Sequence, residues 1–263
     1  MEKIKPKIAI IGLTSCEGCQ FSMLDQGQKF LAWLTKVSLA EFRLLAETSK
    51  QNENYDIVFI EGNPITPANV ELLQNLRKHC RWLVVIGNCA ALGGVPEIKN
   101  YQLKKKTIHE VYKDIRGIAN PIIKEVANFV KVDLVVPGCP IDGEEFMTIA
   151  NKLIEGVLPK IAQQPVCNEC QLRGYDCLLQ QGEICLGPVT LAGCQAICLK
   201  SGQGCWGCRG LIKDSQKTHK TKNLMKKLLS QHSSEEISKV LEVFGVRDSL
   251  QVELIKESKK TKK

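Results

Sequence analysis

The residues of this sequence best equipped for chemistry are its thirteen cysteines, and their spacing sorts twelve of them into three groups of four. The first group is a C-x2-C pair, Cys16 and Cys19, followed by the isolated Cys89 and Cys139. A close pair anchors two corners of an iron–sulfur cubane through one tight turn, which Gly18 lets bend, and two distant thiolates close the site. The second group reads Cys167-x2-Cys170-x6-Cys177-x7-Cys185, and the third Cys194-x3-Cys198-x6-Cys205-x2-Cys208. Thiolate suits iron because it is soft and donates charge. Neither late group repeats the bacterial ferredoxin run, so sequential grouping stands beside an alternative in which the two exchange one ligand. Zinc is the second chemistry to weigh, since a C-x2-C pair at each end of the late region fits two four-thiolate zinc sites. The first group favours iron, because a redox centre needs a route to a partner. Gly87, Gly93, Gly94 and Gly138 keep backbone close to the thiolates, where amide hydrogens stabilise their charge. Cys80 is the thirteenth, a buried and unligated thiol near a helix end. His79, His109, His219 and His232 join no cysteine spacing and read as surface or packing residues.

The elements that must position these groups alternate strand and helix. Residues 7–13 (KIAIIGL), 55–60 (YDIVFI), 82–86 (WLVVI) and 133–136 (DLVV) are short apolar runs that read as buried strands, with a further strand over 41–46. Residues 20–35 carry helical spacing, with Phe21, Leu24, Phe30, Leu31 and Leu34 on one apolar face. Pro67 starts a helix that runs to about Cys80. Alternation of this kind specifies an α/β fold with a mostly parallel sheet. Functional residues in such sheets sit beyond the carboxyl ends of the strands. Cys16 and Cys19 follow the first strand, Glu61 the third, Cys89 the fourth and Cys139 the last, so one end of the sheet collects the first group. Residues 99–120 are charged and read as an excursion. Residues 166–212 hold eight cysteines and eight glycines, too little core to fold strongly without metal. The lysine-rich remainder reads as two helices, one built on Leu224, Leu228 and Leu229, the other on Ile237, Leu241 and Phe244. The expected domains are 1–162, 163–212 and 213–263.

Composition narrows the function. A chain of 263 residues with an odd cysteine count is unlike a secreted disulfide scaffold. The start M-E-K-I-K-P lacks a signal peptide's cleavage pattern and a twin-arginine signal, and no apolar run reaches the length of a membrane span, so a reducing, cytoplasmic setting is expected. The formal charge is +8. Each [4Fe-4S] site with four thiolates adds about −2, so three sites leave a small excess, concentrated around 213–227 and 256–263, and no nucleic-acid partner is expected. No G-x-G-x-x-G follows the first strand and no phosphate-binding G-x4-G-K-[ST] occurs, so the chain is expected to bind neither flavin nor nicotinamide. No Ser–His–Asp or Cys–His arrangement offers nucleophilic catalysis, which leaves electron transfer.

T-S-C-E-G-C-Q at 14–20, G-N-C-A at 87–90 and P-G-C-P at 137–140 resemble the small subunit of nickel–iron hydrogenases, and E-G-N at 61–63 looks like that family's acidic strand-end motif. The resemblance implies a flavodoxin-like domain whose Cys16, Cys19, Cys89 and Cys139 hold a proximal [4Fe-4S] cluster against a large subunit that carries the nickel–iron site. This chain would then bind no nickel and split no hydrogen alone. In the late region Cys167 stands where the membrane-linked, periplasmic branch has a histidine ligand, and Cys198 offers a fourth thiolate to the medial site. C-L-G-P-V-T-L-A-G-C at 185–194 and C-W-G-C-R-G at 205–210 resemble the cytoplasmic group 3 enzymes, including the sulfhydrogenase delta subunit and the gamma subunits of methanogen hydrogenases. That likeness implies a medial cluster on Cys194, Cys198, Cys205 and Cys208 and a distal one on Cys167, Cys170, Cys177 and Cys185, for three [4Fe-4S] clusters in all. The compact length favours an acceptor subunit that binds flavin and NAD(P). A gamma-type subunit serving F420 or a heterodisulfide reductase, and a zinc-stabilised interaction protein, are the alternatives. Glu17 and Glu61 are candidates for hydrogen bonding to loop amides, or for an interface or proton path to the large subunit.

Overall fold

The computed structural model describes residues 5–45, 53–102, 104–118, 121–213 and 219–250. The chain separates into two units, Met1–Lys160 and Ile161–Lys263.

The first unit is built on five strands: β1 (Lys7–Gly12), β2 (Ser38–Phe42), β3 (Tyr55–Glu61), β4 (Cys80–Ile86) and β5 (Leu134–Val136). Their order is β2-β1-β3-β4-β5 and every pairing is parallel. Parallel neighbours need long crossovers, and these supply the helices α1 (Gly18–Leu24), α2 (Gln28–Leu34), α3 (Pro67–Lys78), α4 (Gly87–Leu92) and α5 (Lys104–Val111), with α6 (Gly143–Ile154) after the last strand. Coverage on both faces explains why β1, β3 and β4 read as continuous aliphatic runs. Their interiors, Ile8–Ile10, Ile57–Ile60 and Leu83–Ile86, are buried almost completely. On one face Trp33 stacks on Phe30 at 5.7 Å, and Phe59 meets Phe146 edge-on at 5.2 Å. α3 opens on Pro67 behind a Thr66–Asn69 capping box, and α6 opens on Asp142, whose side chain accepts the Glu145 N–H at 2.8 Å.

Three expectations need correction. The helix expected over 20–35 is two helices, because Gly27 adopts φ 51 between them. That turn moves the buried face to Met23, Phe30 and Trp33 and leaves Phe21 and Leu31 exposed. The second strand is Ser38–Phe42 rather than 41–46, held in register with Lys7 and ended by a turn in which the Leu45 N–H reaches the Phe42 carbonyl; residue 46 lies outside the described residues. Cys80 begins β4 and is half-buried, whereas α3 ends at Lys78. The excursion over 99–120 holds the end of a 3-10 helix, Val95–Tyr101, and α5.

The second unit has only isolated bridges among its described residues, Pro165 to Leu191 and Thr190 to Leu211. It contains α7 (Val166–Leu172), α8 (Ile197–Lys200), α9 (His219–Gln231) and α10 (Ser234–Val243). One core cluster is Val166, Cys170, Cys185, Ala196, Leu199 and Cys205. The two helices expected of the lysine-rich segment are α9 and α10; they bury Leu224, Met225 and Leu228, and Ile237 and Leu241. The basic run at 256–263 lies outside the described residues. Among the described residues no helix is long and apolar enough to cross a membrane.

Candidate metal centres

The register of the sheet aligns Gly12, Glu61, Ile86 and Val136 in one row at its carboxyl end. Cys89 and Cys139 each stand three residues beyond that row, and Cys16 four. Four contiguous strands, about 4.8 Å apart, thus deliver one group, β1, β4 and β5 its thiols and β3 the carboxylate of Glu61. Glu17 turns the chain between Cys16 and Cys19 with a left-handed backbone, φ 62, and its side chain is exposed. Glu61 is 2% exposed. One of its oxygens accepts the Cys19 N–H at 3.0 Å and the other accepts Gln20 Nε2 at 2.7 Å. The buried carboxylate therefore fixes the start of α1 against the end of β3. Asn63 Nδ2 donates to the carbonyls of Cys89 at 2.7 Å and Gly93 at 3.2 Å. The Asn88 N–H donates to the Gly138 carbonyl at 2.7 Å, which joins the loops after β4 and β5. Gly87 packs so closely that a Cβ there would lie 2.4 Å from Cys19 Sγ.

These thiols act on one another. Burial pushes the Cys19 thiol far above its ordinary range, with Glu61 the next cause and Cys139 and Cys89 adding to it. Burial, then Cys16 and Glu61, push Cys89 up to about 11. Burial, then Cys89, Cys16 and Glu61, push Cys139 up to about 11. Four thiolates could not share this space with a buried carboxylate unless a strongly cationic centre compensated them; a metal core would supply that positive charge and so keep its thiol ligands deprotonated. The donor set therefore fits an iron–sulfur core.

In the second unit Cys167 and Cys170 lie on α7, three residues apart and hence on one face. Burial pushes Cys167 up to about 11, followed by Cys185, Cys170 and Cys177. Burial raises Cys170, followed by Cys185 and Cys177. Gly187 backs this group, since a Cβ there would lie 3.3 Å from Cys167 Sγ and 3.4 Å from Cys185 Sγ. Burial likewise raises Cys194, which also feels Glu169, Arg209 and Cys198. Burial raises Cys205 far above the thiol range, with Cys185 and Cys208 contributing. The Cys205 N–H donates to Cys185 Sγ at 3.3 Å, and the Leu186 N–H to the Cys205 carbonyl at 2.7 Å, so the two late groups are stitched together. Cys177 is exposed whereas Cys170, Cys185 and Cys205 are buried. Among the described residues, no three His, Cys, Asp or Glu side chains sit close enough to share a single ion; the cysteines act on one another across a wider space.

Sequence reasoning did not single out Gln20, Asn63, Glu169 or Arg209. Gln20, Asn63 and Arg209 are members of the motifs at 14–20, 61–63 and 205–210, and Glu169 lies between Cys167 and Cys170; that placement is the available signal. His79 Nδ1 and His232 Nε2 lie 2.9 and 2.8 Å from the Asn75 and Gly182 carbonyls.

Residues 16–153 match the family described as NADH ubiquinone oxidoreductase, 20 Kd subunit. The sulfhydrogenase 2 delta subunit of Pyrococcus furiosus is 35% identical over 78% of this chain and 86% of its own length. A vhu-type F420-non-reducing hydrogenase subunit of Methanocaldococcus jannaschii is 29% identical over 78% of this chain and 81% of its own. Among solved structures, a chain of an NAD+-reducing [NiFe]-hydrogenase in the H2-reduced state superposes with a TM-score of 0.53 at 29% identity, covering 60% of this chain and 96% of that one. With the strand-end cysteine site on the sheet and these matches on both its fold and its sequence, the chain belongs to the 20 Kd subunit family of NADH ubiquinone oxidoreductase, on the branch of group 3 nickel–iron hydrogenase small subunits.

Proposed function

We propose that this chain is a cytoplasmic electron relay. It would carry electrons through three [4Fe-4S] clusters between a large subunit bearing the nickel–iron site and an acceptor subunit that binds flavin and NAD(P). The observation that carries the reading is the convergence of Cys16, Cys19, Cys89 and Cys139 beyond one row of four adjacent strands. On this reading those four hold the proximal cluster, Cys194, Cys198, Cys205 and Cys208 the medial one, and Cys167, Cys170, Cys177 and Cys185 the distal one. A bound [4Fe-4S] cluster supplies one-electron transfer.

The protein's own residues do the rest. Glu61 and Gln20 hold the Cys16–Cys19 turn, and Asn63 holds the Cys89 carbonyl, so the first ligand set is preorganised. Cys19 is buried while Cys16 of the same set is exposed, and the edge beyond the strands is where a large partner packs. In the second unit the Cys205 N–H contact to Cys185 Sγ gives a short link between the late groups. Exposure of Cys177 gives the outward group its exit. Hydrogen activation belongs to the large subunit. A second reading rests on the match to the F420-non-reducing relative over 78% of this chain, and in it the acceptor is of the heterodisulfide-reductase type.

Anaerobic purification followed by iron, sulfide and zinc analysis tests the relay. About 12 iron atoms per chain with matching sulfide are expected from four irons per site. Zinc without matching sulfide would overturn the reading. Cys170→Ala should slow electron delivery to the acceptor more than hydrogen–deuterium exchange by the assembled complex. Equal loss of both, with assembly and the proximal cluster intact, contradicts the order.

A further inference from the structure

Cys194 in the second unit lies between two opposite charges. Arg209 directly follows Cys208 and is 3% exposed. Its Nε donates to the Ala192 carbonyl at 2.9 Å, two residues before Cys194, so the guanidinium is pinned beside both ends of the third cysteine group. Glu169 comes from the other side, from between Cys167 and Cys170. Its Oε1 accepts the Gly193 N–H at 2.8 Å, and its Oε2 accepts from Cys194 Sγ at 3.9 Å. A guanidinium stays charged at any working pH. Burial also matters: exposed cations such as Arg173 and Lys200 act through water and salt, whereas Arg209 acts through a medium of low dielectric constant.

We propose that Arg209 and Glu169 set the reduction potential of the [4Fe-4S] cluster held by Cys194, Cys198, Cys205 and Cys208, Arg209 raising it and Glu169 lowering it. This rests on the three-cluster reading above. One-electron reduction adds one negative charge to the cluster, while no bond forms or breaks and no proton moves. The added charge is stabilised by a fixed cation and opposed by a fixed carboxylate. Both residues act as tuning residues, and neither needs to touch iron. Glu169 also sits between two ligands of the second group, so the pair biases the third group's cluster upward relative to its neighbour and orders the two steps of the relay.

The test is a potentiometric titration followed by electron paramagnetic resonance, on the full chain purified anaerobically with its clusters and reduced by dithionite. Iron and sulfide are measured on the same samples. Arg209→Gln should make one of the three clusters harder to reduce by at least about tenfold, which is about 59 mV for a one-electron couple. Arg209→Lys, which keeps the charge, should stay near wild type. Glu169→Gln keeps an acceptor for the Gly193 N–H and should move the same signal the opposite way, by less, because Glu169 is half-buried. Unmoved potentials, or shifts of the same sign in both glutamine variants, with iron and sulfide retained, would overturn the proposal. If Arg209→Gln loses four irons, Glu169→Gln decides alone: an upward shift supports the charge pair, and none sinks it. Wild-type protein lacking sulfide to match its iron would defeat the three-cluster reading and this proposal with it, whereas correct content with unmoved potentials defeats only the proposal.

Discussion

In the first unit Cys16, Cys19, Cys89 and Cys139 stand beyond the last row of a sheet whose buried cluster includes none of them: Ala9, Ile11, Val58, Ile60, Leu73, Leu83 and Val85 close on one another, with Cys80 alone among the thiols packed at the margin. In the second unit three of the six residues of a buried cluster, Cys170, Cys185 and Cys205, are cysteines. The difference separates two ways of making a metal site. One attaches ligands to a scaffold stabilised by aliphatic and aromatic burial, which contributes roughly 25 cal/mol per Å² of apolar surface removed from water. The other makes the ligands part of the core, so that metal binding and folding become one equilibrium.

Metal removal should break the symmetry of the two units most visibly. Anaerobic iron chelation is expected to abolish amide hydrogen-exchange protection over residues 166–212 while β1, β3 and β4 keep theirs. Equal loss in both units would erase the distinction. The metal-free first unit should also weaken in alkali. Cys89 and Cys139 have thiols raised from 9.0 to about 11, so the folded state holds these protons more tightly than the unfolded chain. Their contribution is complete below pH 9.0 and is lost as pH rises through about 11, which thermal melts of the chelated protein across that window would register.

Gly87→Ala is a local probe. The added methyl would meet Cys19 Sγ at 2.4 Å, on a backbone with φ 82. Iron should fall by about four atoms per chain, one cluster's worth, with sheet protection kept and the late groups still loaded. Phe146→Ala inverts that experiment, removing a ring packed on Phe59 and Trp33. It should cost the first unit about 3–5 kcal/mol, read by chemical denaturation, and leave exchange protection over 166–212 unchanged. The smallest effect is expected of Glu61→Gln. The amide keeps an acceptor for the Cys19 N–H, so iron content should hold and stability should fall by about 1 kcal/mol. Unchanged hydrogen turnover and unchanged solvent-isotope exchange in that variant would exclude an essential proton role for Glu61.

The same contrast governs how much the sequence discloses. Strand periodicity and strand-end cysteines are local signals, so β1, β3, β4 and β5 and the group Cys16, Cys19, Cys89 and Cys139 could be read before any coordinates. Gly27 was visible as a residue, but the φ it adopts depends on how Phe30 and Trp33 pack. The short edge strand β2 begins three residues before the strand expected over 41–46, since an edge offers weak alternation. Gln20 and Asn63 stand inside the motifs at 14–20 and 61–63, but their roles arise only when the ends of separate strands meet. In the second unit cysteine spacing marks the candidate ligands, but neither the link from Cys205 to Cys185 nor the reach of Glu169 to Cys194 is encoded in any spacing.

The contact between the Cys205 N–H and Cys185 Sγ bears on how the chain matures in the cell. Ordering the loop around one late group fixes backbone that belongs to the other, so the conformational entropy of closing both loops is largely spent at the first. Filling of the two late groups should therefore be cooperative: the group filled first lowers the entropic cost of ordering the second, so wild-type chains with one late group filled should be scarcer than independent filling would give.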